Sequence, residues 1–124
     1  MSAAGRQSER VGNQVTPELA RRLLEQLGAG SPDLRDAALV DAAGEQLAAT
    51  DDADWAAGIA TLWRAADRDG GRDAREIHVA TGDGEVFSVR GPAATIVATS
   101  ERFALASLML CDLRAALREL GERG

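Results

Sequence analysis

The sequence contains no lysine: its 14 basic residues are all arginine, set against 20 acidic ones. The net charge is −6 and the arginines are scattered. Such a chain has no electrostatic footprint for nucleic acid or for anionic lipid. Arginine and alanine in excess point to a GC-rich coding sequence, so the missing lysine carries little functional weight. Cys111 is the single cysteine, which excludes an intramolecular disulfide and is compatible with a reducing compartment. Aromatic side chains are scarce, namely Trp55, Trp63, Phe87 and Phe103. The core must therefore be built from Leu, Val, Ile and Ala, so that elements approach closely. No stretch reaches the roughly 20 apolar residues of a membrane span. The first residues, Met1 to Val15, hold no apolar run and are expected to be a disordered tail, without the features of a secretory signal. These absences together predict a soluble, cytoplasmic protein.

What remains is the composition of one globular domain, 124 residues long and 45% hydrophobic. Thr16-Pro17-Glu18 opens a helix, with a cap, a first-turn proline and an acid at the positive end of the dipole. Leu19, Leu23, Leu24 and Leu27 follow at helical spacing, and Gly28, Gly30 and Pro32 end it. Leu34 to Thr50 reads as two short strands around a turn at Ala43-Gly44. Ala37 and Leu39 share one face of the first strand, Ala38 and Val40 the other, so both faces can be covered.

Asp51, Asp52 and Asp54 are helix-start acids for a second helix over about Ala53 to Ala66. Its sheet-facing stripe is predicted at Trp55, Ile59, Leu62 and Ala66. Trp63, Ala56 and Ala60 form a small-small-large flank beside that stripe, suited to the approach of another backbone. Asp67 to Asp73 reads as a loop. Its Asp67-x-Asp69 spacing fails as a calcium loop, because Arg72 stands where the required glycine would be.

Arg75 to Thr81 and Glu85 to Arg90 are strands joined at Gly82-Asp83-Gly84, a strong hairpin signal. Ala94 to Thr99 is a last strand, with Ile96 and Val97 on opposite faces. A final helix follows Ser100 and Glu101. Its apolar stripe is Phe103, Leu110, Leu113, Leu117 and Leu120, widened by Ala106, Leu108 and Met109, and Gly121 ends it. Each strand-to-strand link is too short for a parallel crossover. The order gives an α/β (α+β) fold in three layers, a five-stranded antiparallel sheet with one helix on one face and two on the other.

No residue set carries catalysis. His78 is the only histidine, without Ser, Cys or carboxylate at a meaningful spacing, and reads as a surface or interface residue. Cys111 reads as a small buried hydrophobe of the last helix. Gly82-Asp83-Gly84 lacks the strand-to-helix context of a phosphate loop. The expectation is a protein that is not an enzyme and holds neither cofactor nor metal.

The order of elements and the local text resemble the Roadblock (dynein light chain) family, of profilin-like fold. The resemblance covers residues 16–120, within a domain expected over 16–121. It rests on the hairpin ALVDAAGEQLAA at Ala38 to Ala49 and the acid-led second helix. It rests equally on EIHVATGDGEVFSVRG at Glu76 to Gly91, ATIVATS at Ala94 to Ser100 and the Leu-rich last helix. The resemblance implies a homodimer or heterodimer in which second helices pack together and third strands continue one sheet across two chains. The matching positions here are Ala56, Ala60 and Trp63 on the helix, and Ile77, His78 and Val79 on the strand. It also implies a regulator or scaffold of a small Ras-like GTPase. Two departures stand out: the first hairpin is Ala-rich and less bulky, and no distinctive GTPase-contacting residue is present. The alternative is a PAS- or GAF-like small-molecule sensor, which would need a cavity between sheet and helix.

Overall fold

Strands β1 (Leu34–Asp41) and β5 (Ala94–Ser100) lie side by side at the centre of the sheet, and each is apolar on both faces. The computed structural model describes residues 16–70, 75–101 and 106–123. The expected tail (Met1 to Val15) and Phe103 lie outside the described residues. The remaining elements are α1 (Pro17–Gly30), β2 (Gln46–Ala49), α2 (Ala56–Gly70), β3 (Glu76–Ala80), β4 (Glu85–Arg90) and α3 (Ala106–Arg123). The sheet runs in the order β2-β1-β5-β4-β3, with every neighbouring pair antiparallel.

Alternation along the central strands splits the core in two. Ala37, Leu39, Phe87, Val89, Ile96 and Ala98 face α1 and α3, where Leu23, Leu24, Leu27, Leu113 and Leu120 meet them. Ala38, Val40 and Val97 face α2, where Ile59 and Trp63 cover them. One helix thus lies on one face and two on the other, as the element order predicts. Phe87, Leu39, Ile96, Leu113 and Leu120 are fully buried and fill the larger layer.

Both hairpins close on specific hydrogen bonds. In the first, Asp41 Oδ1 accepts from the amides of Ala43 and Glu45 at 2.9 and 3.0 Å. Gly44 sits at φ 89°, a left-handed conformation that glycine adopts without steric cost. In the second, Thr81 Oγ1 accepts from the amides of Asp83 and Gly84. A Cβ on Gly84 would stand 2.3 Å from the Ser100 carbonyl oxygen, so glycine is required there by close backbone approach.

Four local expectations are corrected. α2 starts at Ala56, not near Ala53, because residues 51–55 are held by side chains. The Trp55 amide donates to Gln46 Oε1 at 2.7 Å and its indole Nε1 to Asp51 Oδ1 at 2.8 Å, while Asp54 Oδ1 accepts from the Ala56 amide. At its other end α2 continues to Gly70 where a loop was expected. The Asp67 carboxylate is anchored there by two Arg90 hydrogen bonds, at 3.1 and 2.8 Å. α3 passes through Gly121 to Arg123. Leu108 is 57% exposed, and Cys111 is exposed, not buried: only one side of α3 meets the core, through Met109, Leu113 and Leu120.

The stripe of α2 is also rotated relative to the predicted one. Ile59 and Trp63 are buried, with Ala56, Ala66 and Trp55 packed beside them, while Leu62 is only half-buried. Trp63 Nε1 donates to Ser88 Oγ at 3.0 Å, and Ser88 Oγ donates to the Ile96 carbonyl at 2.8 Å. The Arg90 guanidinium lies 4.1 Å over the Trp63 ring, a cation–π contact. The relay ties α2 to β4 and β5 and satisfies the indole N–H in the interior.

Two substitutions check this packing. Ser88→Ala strands the buried Trp63 N–H and is expected to cost about 1–3 kcal/mol in chemical denaturation. Gly84→Ala forces the β3–β4 turn away from Ser100 and is expected to cost about 1–3 kcal/mol.

Candidate functional site

β3 forms one edge of the sheet, and α2 covers the sheet face to which Ile77 of β3 contributes. β3 is the terminal strand of the sheet, and among the described residues no strand pairs with its outer edge. Its burial is slight: Glu76, His78, Val79 and Ala80 are exposed and Ile77 is half-buried. Val79 is 40% exposed, one of two large hydrophobic residues so placed among the described residues. Ile77 points to the α2 side and packs against the cluster of Ile59 and Trp63. Along α2, residues Ala57, Gly58, Ala60, Thr61 and Arg64 are exposed. This face is built mostly of small residues, which allow a second backbone to come near.

The expected interface residues divide in three. Ala60 and Val79 are presented outward. Ala56, Trp63 and Ile77 pack inward, with Trp63 only 5% exposed. His78 lies in phase opposite to Ile77, towards the two-helix face. Its ring stacks on Phe87 at 4.5 Å, and its Nε2 meets the largely buried carboxylate of Glu85. The register explains this: His78 pairs with Phe87 across the hairpin, so their side chains share a face. Ala57, Gly58 and Thr61 share the exposed face of α2 and are not among the expected residues. They become recognisable only once the buried Trp63 fixes the rotation of the helix.

Ion pairs frame this half of the sheet. Arg90 bonds Asp67, and that hydrogen bond is the main reason its guanidinium is raised above its ordinary value. Arg114 on α3 pairs with Glu76 at the start of β3 and is raised in the same way. At the far end, Arg35 bridges Glu101 and the Asp83 carbonyl. Its hydrogen bond, and then its charge, hold the exposed Glu101 carboxyl below the usual range.

The buried serines are engaged in structural hydrogen bonds. Ser88 is committed to Trp63 and Ile96. Ser31 donates to Asp112 at 2.9 Å, a pair that tethers the end of α1 to α3. Among the described residues no group of three or more His, Cys, Asp or Glu could hold a metal ion. No described helix is long and apolar enough to cross a membrane.

No family model matches the sequence, and no curated protein matches it. Solved structures do. A Roadblock/LC7 domain from Streptomyces avermitilis superposes with a TM-score of 0.64 at 20% identity, covering 79% of this chain and 91% of that one. The gliding protein MglB from Thermus thermophilus gives a TM-score of 0.61 at 21% identity, over 87% of this chain and 93% of that one. An MglB in a tetrameric arrangement gives 0.63 at 21% identity, over 85% and 88%. With its five-stranded sheet flanked by one helix and by two, the chain has the Roadblock/LC7 fold.

Proposed function

We propose that this chain is a dimeric protein-interaction module that regulates or scaffolds a small Ras-like GTPase, without catalysis by its own residues. The observation that carries the reading is the outer edge of β3, unpaired among the described residues, together with the exposed small-residue face of α2. An open edge strand is a template for pairing with another chain. A second copy adding its β3 would continue the sheet, and Ala57, Ala60 and Thr61 would let two α2 helices pack closely. MglB has been solved in a tetrameric arrangement, which supports self-association as a property of this fold. The GTPase partner rests on the resemblance in element order and text to the Roadblock family.

Trp63 is a poor probe of such an interface, because its burial makes any polar replacement a folding variant. Ala60 and Val79 are better placed. Light scattering of the full chain at micromolar concentration is expected to give twice the chain mass. Ala60→Glu or Val79→Asp is expected to halve that mass while leaving the circular dichroism unchanged. A monomeric wild-type protein at roughly 100 μM, where a standard-size interface would be populated, would contradict the reading. Addition of the chain to its Ras-like GTPase is expected to change the rate of GTP hydrolysis or nucleotide exchange. An unchanged rate together with no detectable binding would leave the scaffold and regulator roles without support.

A further inference from the structure

A groove of about 380 Å³ opens on the α3 side of the sheet, away from the exposed face of α2. One wall is the start of β3, Arg75 and Glu76; the floor is Val89 with the Gly91-Pro92 turn; the other wall is α3, with Arg114, Leu117 and Arg118. Val89 is 5% exposed, and a Cβ on Gly91 would lie 3.5 Å from Leu117 Cδ1, so the floor is apolar and well packed. The rim is basic. Arg114 is neutralised by Glu76, and the Arg90 guanidinium, on the α2 side of β4, by Asp67. Arg75 and Arg118 are exposed and form no ion pair among the described residues. A chain of net charge −6 thus sets, around one apolar depression, two arginines without an ion pair among the described residues.

We infer that this groove is a docking site for an acidic, apolar peptide segment of a partner protein, one in which leucine-like side chains are flanked by carboxylates. Charge complementarity selects the occupant. Leucine-sized groups match the floor of Val89, Pro92 and Leu117, and carboxylates meet the forked guanidinium groups of Arg75 and Arg118. A basic segment would face the exposed guanidinium groups of Arg75 and Arg118, and a wholly polar anion would leave the apolar floor open to water. Binding through exposed arginines is sensitive to ionic strength. The site shares no residue with the exposed face of α2, and it touches β3 only at its first residue, Glu76.

Fluorescence anisotropy of the full chain at low salt tests the inference. The probe is a labelled short peptide of glutamates around two leucines, beside one with lysines for the glutamates and one of glutamates alone. The Glu/Leu peptide is expected to bind saturably. The lysine peptide is expected not to bind, and the all-Glu peptide to bind about tenfold more weakly. The double variant Arg75→Glu/Arg118→Glu is expected to weaken the Glu/Leu peptide at least about tenfold. Arg22→Glu, an exposed change on α1, is expected to leave it within about twofold. Absence of binding to the wild-type chain would overturn the inference. So would equal binding of the all-Glu peptide, or an equal loss in Arg22→Glu, since either would reduce the site to bulk charge.

Discussion

The hydrogen bond from the Trp63 indole to Ser88 fixes the rotation of α2 about its axis, and much of the surface follows from that rotation. A buried indole N–H needs an acceptor. Ser88 supplies one from the middle of β4 and donates its own hydroxyl hydrogen to the Ile96 carbonyl of β5. With Trp63 turned to the sheet, Ala60 and Thr61 must turn to solvent, and Arg90 can both cover the ring and reach Asp67. The same interaction therefore closes one core and leaves Ala57, Gly58, Ala60 and Thr61 on the exposed face of α2.

The sheet supplies the second constraint. β1 and β5 are apolar on both faces, so a helical layer on each side is obligatory, and exposure is left to the outer strands. The two edges differ. β2 is short and half-buried at three of its four positions, and α1 packs against it; β3 is exposed at four of five positions. The fold thus leaves β3 the more open of the two edges among the described residues. Beyond that edge, the start of β3 joins α3 through Glu76 and Arg114, and the apolar groove opens beside that link.

Much of this architecture was legible in the residues. The phase of β1 (Ala37 and Leu39 against Ala38 and Val40) and of β5 (Ile96 against Val97) separated the two faces as the cores do, because side chains alternate with a period of two along a strand. Helix rotation was harder. Trp55, Ile59, Leu62 and Ala66 make a valid stripe on paper, as do Ala56, Ile59, Trp63 and Ala66. The choice is made by side-chain hydrogen bonds that periodicity does not encode, from Gln46 and Asp51 to the lead-in of α2 and from Trp63 to Ser88, 25 residues further on. Leu108 and Cys111 failed for a related reason: a helix rich in leucine and alanine has more apolar positions than its contact with the sheet can bury. The Arg75, Arg114 and Arg118 rim left no local signal, since it is assembled from elements about 40 residues apart.

Hydrogen–deuterium exchange followed as a function of protein concentration tests the central claim most directly, because it reads the β3 edge itself. If two copies join their sheets there, the outward-facing amides of β3 and the exposed turn of α2 around Ala60 gain protection as concentration rises, while β2 amides stay unchanged. Protection in β3 that is independent of concentration, in a protein shown to self-associate, would place the contact elsewhere and contradict the account.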